Sequence, residues 1–313
     1  MVLSAFRNTF AGSPLDRASD RRGDAAWLAT KLVEPAAQVM AVWSGKFLVE
    51  GDAIAWIDGA MAQAIAGGPE ALLFLGLRDA AAVFALELDG SDDPTAGPLA
   101  GLGVFEELRP LAARLSPEDA AMAAATRAMF EWRRRHRFCA ACGHASRQAD
   151  GGWKRVCEAC ATQHFPRTDP VVIMLACHGE RVMLGRQESW PAGQFSALAG
   201  FMEPGESIEE ACARELFEEA GLRAVSVRYH SSQPWPFPAN LMIGLIAEVE
   251  DDEGTPDQTE LSEVRWFTRA EARDLLEGRI EGLRTPNRIA IAAQLLHAWA
   301  YEDAAHENGA DEA

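Results

Sequence analysis

Apolar positions recur along this chain with two periods, and the change from one to the other marks its elements. Residues 39–42 and 46–49 alternate about Ser44-Gly45, and residues 53–57 follow as another short strand. Residues 72–77 and 82–88 continue the pattern, so a mostly β N-terminal region is expected. Residues 89–103, rich in Gly, Pro and Asp, read as a loop. Ser116 then caps a helix, with Pro117 at its first position and Asp119 three residues after the cap. That helix runs toward Trp132, ahead of the basic stretch 133–137, which suits either a phosphate contact or a solvated helix end favoured by the macrodipole.

In the second half, residues 171–177 and 181–185 read as a hairpin turning at His178-Gly179, and residues 195–199 as a strand leading into a glycine-bearing loop. Ser207 followed by Glu210 is a capping box, so a helix begins at Ile208, and Gly221 suits its left-handed stop. At 100° per residue, Ala213, Leu216, Phe217 and Ala220 share one face, while Glu215, Glu218 and Glu219 gather on another. Strands near 225–230, 241–249 and 264–267 and helices near 269–276 and 288–299 close the pattern, which by itself leaves the topology open.

The acidic face needs a cause. Like charges at i, i+4 destabilise a helix by roughly 0.2–0.5 kcal/mol per pair, and Glu215 faces Glu219 beside Glu218. A hard divalent cation supplies that cause, because Mg²⁺ takes carboxylate oxygens and bridges them to phosphates. A solvated glutamate face would explain the three acids, but not Gly200, Glu206, Arg214 and Gly221 at fixed offsets around them. Gly200 and Gly205 flank a loop whose backbone either passes close to something or takes positive φ.

Composition narrows the function classes. The 313 residues are 48% hydrophobic and 24% charged, as in a globular protein of two or three domains. The net charge of -18 disfavours non-specific binding along RNA or DNA, while leaving recognition of one nucleotide or an RNA end open. No window approaches 18 uninterrupted apolar residues, and MVLSAFRNTF has no signal-peptide core, so a cytoplasmic protein without a membrane partner is expected.

Four of the six cysteines form Cys139-x2-Cys142 and Cys157-x2-Cys160, a spacing that brings four thiolates round one tetrahedral Zn²⁺. Disulfides are the alternative, which a reducing compartment disfavours. Four thiolates leave no open position, so the zinc, one per chain, is structural. His144 is a competing ligand that complete pairs make unnecessary; Cys177 and Cys212 read as buried free thiols.

GFMEPGESIEEACARELFEEAGL, from Gly200 to Leu222, resembles the complete Nudix box, G-x5-E-x7-R-E-U-x-E-E-x-G-U with U apolar. Ten residues beyond it stands Ser232-Gln233-Pro234-Trp235-Pro236-Phe237-Pro238. Its alternating prolines keep the segment extended, and Trp235 and Phe237 suit stacking on a base or nicotinamide while Gln233 offers a donor and an acceptor. These features, the cysteine pairs before them and the link Phe165-Pro166-Arg167-Thr168-Asp169-Pro170 together resemble the NADH pyrophosphatases of the Nudix superfamily, over residues 105–299. The segment FAGSPLDRAS is a weaker likeness of the same kind. Asn240 stands where the pattern has Ser, and Phe165 where an aromatic hydroxyl is usual.

The resemblance implies an α/β fold, a Nudix α/β/α sandwich with a zinc ribbon and a mostly β N-terminal domain. The domains would be residues 1–134, 135–165 and 166–313. It implies metal-dependent hydrolysis of the NAD(H) pyrophosphate to NMN(H) and AMP, removal of NAD caps from RNA 5′ ends as a second role, and homodimers. The implied ligands of Mg²⁺ or Mn²⁺ are Glu215, Glu219, Glu260 and the Ala199 carbonyl, with Glu218 ligating or shaping that shell. A neighbouring glutamate would accept the proton of the attacking water. Arg214 either pairs with Glu206 and the site carboxylates to hold the loop, which is favoured, or contacts phosphate. The implied substrate contacts are Gln233, Trp235, Phe237, Asn240, Phe165 and the Ala292 backbone; Arg109 and Lys46 either reach substrate from the N-terminal side or have surface roles, which are favoured. The alternatives are ADP-ribose, dinucleoside polyphosphates or an RNA cap as substrate, or a non-catalytic nucleotide-sensing module.

Overall fold

The structure, a computed structural model, describes residues 8–301. Among these, residues 8–9, 169–234 and 240–301 form one compact unit, and residues 10–168 and 235–239 form another.

The second of these units is built on a seven-stranded sheet, with Ala53–Ile54, Lys46–Glu50, Gln38–Trp43, Ala81–Leu88 and Leu72–Arg78 in that order, Trp56–Ile57 also paired to Gln38–Trp43 and Val104–Glu107 to Lys46–Glu50. Gln38–Trp43 and Ala81–Leu88 run parallel, which the short-range alternation does not reveal. One face buries Val39, Ala41, Leu48, Phe74, Phe84 and Leu86. The helix Pro117–Arg135 starts where expected, its Ser116 hydroxyl accepting from the Asp119 N–H at 3.1 Å. It continues past Trp132 into the basic stretch. Arg133 is buried and donates to the carbonyls of Glu70 and Leu72, while Arg134 and Arg135 pair with Glu131. The run is therefore a helix end.

In the other unit a six-stranded mixed sheet has the order Ala224–Trp235, Asn240–Val249, Asp169–His178, Arg181–Arg186 and Glu263–Thr268, with Leu198–Phe201 also paired to Asp169–His178. Side chains alternate across a strand, and Asp169–His178 uses both faces. Ile173, Leu175 and Cys177 pack against the helices Arg269–Leu276 and Ile291–Tyr301. Val172, Met174 and Ala176 pack against the helix Ile208–Ala220. A strand buried on both faces is nearly all apolar, and helices on both sides make the expected α/β/α sandwich. No helix among the described residues is long and apolar enough to cross a membrane.

Candidate active site and metal centre

The acidic helix Ile208–Ala220 begins with the expected reciprocal caps. The Glu210 N–H donates to the Ser207 hydroxyl at 3.2 Å, and the Ser207 N–H to the Glu210 carboxylate at 2.7 Å. Gly221 ends it at φ 69°. The packed stripe is rotated from the expected one: Ala211, Cys212, Leu216 and Ala220 are buried together with Glu215 and Glu219, while Phe217 is exposed and meets Arg223. The rotation turns two carboxylates inward, toward the strand Leu198–Phe201.

That strand explains the first glycine of the box. A Cβ on Gly200 would fall 1.9 Å from Glu215 Cδ, so the carboxylate occupies the space a side chain would fill. Space sets the requirement at Gly200, whereas Gly205 needs its torsion, at φ +102°.

Arg214 holds the loop to the helix. Its Nε and Nη2 donate to the two Glu206 oxygens at 2.6 and 3.0 Å, Nη1 to Glu215 at 2.7 Å and Glu218 at 2.9 Å, and Nη2 also to the Phe201 carbonyl at 2.9 Å. This fork, closed further by the Glu203 N–H, pulls the Glu206 carboxyl down to about 2. Glu215 moves the other way, because burial outweighs its contact with Arg214.

Glu219 is 4% exposed and one of its oxygens, Oε2, has no hydrogen-bond partner. Burial, then the charges of Glu215 and Glu260, push its carboxyl up to about 8, against a hydrogen bond from the Ala199 N–H. Glu260 comes from a loop docked on the end of the same helix: Thr255 N–H donates to the Ala220 carbonyl and Asp257 N–H to that of Glu219. The Asp257 carboxylate accepts from the N–H groups of Thr259, Glu260 and Leu261 and so fixes the turn that carries Glu260. Beside it an open cleft of about 540 Å³ is lined by Gln187, Glu188, Ser189, Thr259 and Glu260. An orphaned buried carboxylate oxygen among three acids fits a hard cation. Asp257, Glu188 and Gln187 were not singled out in the sequence; Asp257 was within reach as an Asx turn of the kind that Asp-x-Thr forms.

The aromatic array divides. Gln233 is 1% exposed, and its amide donates to the Ile289 carbonyl at 2.7 Å and the Thr9 carbonyl at 3.0 Å while accepting from the Ile291 N–H at 2.8 Å. The expected carboxamide reader is instead a clamp between chain segments, its polar atoms committed to backbone. Trp235 and Phe237 lie edge to face at 5.3 Å, and both also meet Phe10. The Arg109 guanidinium stands over both rings, and Arg127 stands over Phe237 while donating to the carbonyls of Pro236 and Gly45. Arg109 thus belongs with the aromatic pair and is more than a surface charge. Asn240, paired with Asp169 across parallel strands, keeps a buried Oδ1 without a partner. Phe165 is exposed, and Ala292 is buried in the core at the start of the last helix.

The four cysteines are already gathered. Their sulfurs lie within 4.8 Å of one another, with Cys139–Cys160 at 3.7 Å, Cys142–Cys157 at 3.5 Å and Cys142–Cys160 at 3.4 Å. Four sulfurs at about 2.3 Å from one Zn²⁺ would stand about 3.8 Å apart, so the donors fit a closed tetrahedral site. Among the described residues only this group brings three or more ligating atoms so close. His144 bonds to the Cys142 carbonyl, whereas His164 Nε2, absent from the sequence reading, lies 3.3 Å from Cys139 Sγ. Burial raises the Cys139 thiol, but His164 and the N–H groups of Cys142 and Ala141 outweigh it and bring it to about 6. Cys177 and Cys212 are free and buried, both pushed up to about 12 by that burial.

Models of three families match the chain in succession: an NADH pyrophosphatase-like rudimentary NUDIX domain over residues 36–132, an NADH pyrophosphatase zinc ribbon domain over 134–165 and a NUDIX domain over 166–285. The NAD-capped RNA hydrolase NUDT12 of Homo sapiens is 41% identical over 201 residues, 61% of this chain and 44% of that protein. The NAD-capped RNA hydrolase of Schizosaccharomyces pombe is 35% identical over 250 residues, 71% and 65% of the two chains. The NAD-capped RNA hydrolase NudC of Mycobacterium tuberculosis is 39% identical over 202 residues, 62% and 64%. The matched regions therefore span from under half to just under two thirds of these curated relatives. With an intact box, a four-cysteine cluster and all three family models in one order, the chain belongs to the Nudix hydrolases of the zinc-ribbon NADH pyrophosphatase type.

Proposed function

We propose that this protein hydrolyses the pyrophosphate bond of NAD(H) to NMN(H) and AMP, with Mg²⁺ or Mn²⁺, and removes NAD caps from RNA 5′ ends. One observation carries the reading: two buried glutamates of one helix, Glu215 and Glu219, stand with Glu260 in an acidic cluster where Glu219 Oε2 lacks a partner. The names of the relatives support the substrate class.

In this proposal Glu215, Glu219, Glu260 and the Ala199 carbonyl hold the divalent cations, which when bound neutralise phosphate charge and acidify water. Arg214 keeps the loop 200–206 against the helix and Glu215 turned inward, so the carboxylates meet the diphosphate preoriented. Glu218, exposed and tethered to Arg214, is placed to accept the proton of the attacking water. Trp235 and Phe237 supply aromatic surface for a base or nicotinamide, and Asn240 Oδ1 a polar contact. Phe165 and the Ala292 backbone stay in the proposal as weaker contacts.

We take the cytoplasm as the compartment, a reading supported by a four-cysteine metal site, which needs its cysteines reduced. A homodimer belongs to the same proposal, supported by exposed Val225 and Tyr229 on the edge strand Ala224–Trp235. The test compares initial rates with NADH, ADP-ribose and NAD-capped RNA in Mg²⁺ or Mn²⁺, with product analysis. NADH and capped RNA should yield NMNH or NMN beside an AMP end. Glu219→Gln should lower kcat by about 10²–10³-fold, the range for removing one preorganised transition-state contact. Near-normal turnover by a folded Glu219→Gln protein at saturating metal would remove the core of the proposal.

A further inference from the structure

The unit holding residues 10–168 contains a second concave feature. A pocket of about 280 Å³ is lined by three arginines, Arg17, Arg22 and Arg167, with Trp153, Met129 and Ala125 among its apolar walls, and none of its lining residues is acidic. In a chain of net charge -18 three arginines lining one cavity are a local inversion of sign.

The arginines are set by the backbone. Asp16 pairs with Leu77, its N–H and carbonyl bonded at 2.9 and 2.8 Å, and the Asp16 carboxylate accepts from the Ala18 N–H. The Asp16 carbonyl passes so near Gly76 that a Cβ there would lie 2.3 Å from it, which fixes the strap carrying Arg17. Arg22 Nε donates to the Arg17 carbonyl, and its guanidinium lies 4.1 Å from the centre of the Trp153 ring, with that of Arg17 at 5.6 Å. Trp153 is itself anchored by its Nε1–H on the Phe74 carbonyl at 2.6 Å. The nearby carboxylate of Asp150 pairs with Lys154 at 2.8 Å, and among the described residues neither Arg17 nor Arg22 has a carboxylate within salt-bridge distance. Arg17 Nη1 is buried with no hydrogen-bond partner.

Forked arginines match phosphate oxygens, and Arg17 and Arg22 are already held in place over the Trp153 ring. The cavity is too large for phosphate alone: at about 30 Å³ per water it equals about nine waters. Its Met129, Ala125 and Trp153 surfaces call for an apolar or flat body. We propose that this pocket is a binding site for a small organic phosphomonoester of nucleoside monophosphate size, with the phosphate on Arg17, Arg22 and Arg167.

The inference does not rest on the hydrolase reading, and its test is a binding experiment. Zinc-loaded full-length protein without Mg²⁺ or Mn²⁺ is titrated calorimetrically with AMP and with inorganic phosphate. AMP should bind at one site, and more tightly than inorganic phosphate. Arg22→Gln should weaken AMP at least tenfold; so should Arg167→Gln, at an exposed position. Glu219→Gln should bind AMP as the parent does, which separates this pocket from the acidic site. No heat with AMP, unchanged affinity in both arginine variants, or loss of binding in Glu219→Gln would overturn the site. Equal affinity for AMP and inorganic phosphate would overturn the organic ligand.

Discussion

The cysteine cluster and the glutamate cluster are cation sites built on opposite plans. In the ribbon the four sulfurs already stand 3.4–3.7 Å apart for the pairs in contact, two knuckles closing a tetrahedron with no position left over. On the acidic helix no three oxygens come as close, Arg214 binds one oxygen of Glu215, and Glu219 keeps an oxygen with nothing to meet it. Cysteine sulfurs can be packed without their ion by sharing protons with one another, whereas carboxylates repel until theirs arrives. The first plan suits folding and the second suits a site that must open to substrate.

The sharpest way to break this contrast is to take zinc away. Binding to a site absent from the unfolded chain is folding free energy, on the order of 10 kcal/mol for structural zinc. A chelator strong enough to strip it should abolish hydrogen-exchange protection in Ser146–Ala149 and Lys154–Cys157 while the helix Ile208–Ala220 keeps its own. Full protection of the ribbon in a zinc-free Cys139→Ser protein would contradict a structural role.

Glycines sharpen the contrast at smaller scale. Gly143, in the knuckle, has φ +76° and nothing within 4 Å of a Cβ, so its need is torsional, and Gly143→Asn should cost under about 1 kcal/mol. Gly200 lacks room, and a methyl there displaces Glu215. Gly200→Ala should destabilise by about 3 kcal/mol, the upper end for overpacking, and lose activity with it. Denaturant midpoints for the two variants check the order; equal losses would mean that the Glu215 carboxylate moves aside freely.

How much of this was legible depended on whether the cause was local. The limits of Ile208–Ala220 follow from Ser207, Glu210 and Gly221, and Arg269–Leu276 emerges with the limits its pattern predicts. The four cysteines likewise carry their site in their spacing. Gln233 misled because its role is set by Thr9, Ile289 and Ile291, partners 56 or more residues away. Phe217 misled because the helix is rolled by the burial of two glutamates, which an apolar count does not anticipate. The parallel pairing of Asp169–His178 with Asn240–Val249 is likewise set by residues far apart in the chain, and so is the placing of Arg109, a candidate for reaching substrate, over Trp235 and Phe237.

The mildest test asks whether the acidic site is under electrostatic load before its cation arrives. With the Glu219 carboxyl held up at about 8, the folded protein keeps this proton while an unfolded chain releases it near pH 4.3. The unfolded state then binds fewer protons than the folded one between those values, so stability falls as pH rises through that window. The contribution is fully present below about pH 4 and gone above about pH 8. Gln at this position does not titrate and can still accept from the Ala199 N–H. In zinc-loaded, magnesium-free protein, Glu219→Gln should therefore match the parent near pH 4 and become more stable than it by roughly 2 kcal/mol near pH 8, a value reduced from the full shift because neighbouring side chains relax. Melting temperatures across that range measure it. Adding Mg²⁺ should erase the advantage, since a cation stabilises the ionised parent and not the amide. A difference that ignored both pH and Mg²⁺ would mean that Glu219 is a packed side chain like its neighbours, and the two cation sites would no longer differ in kind.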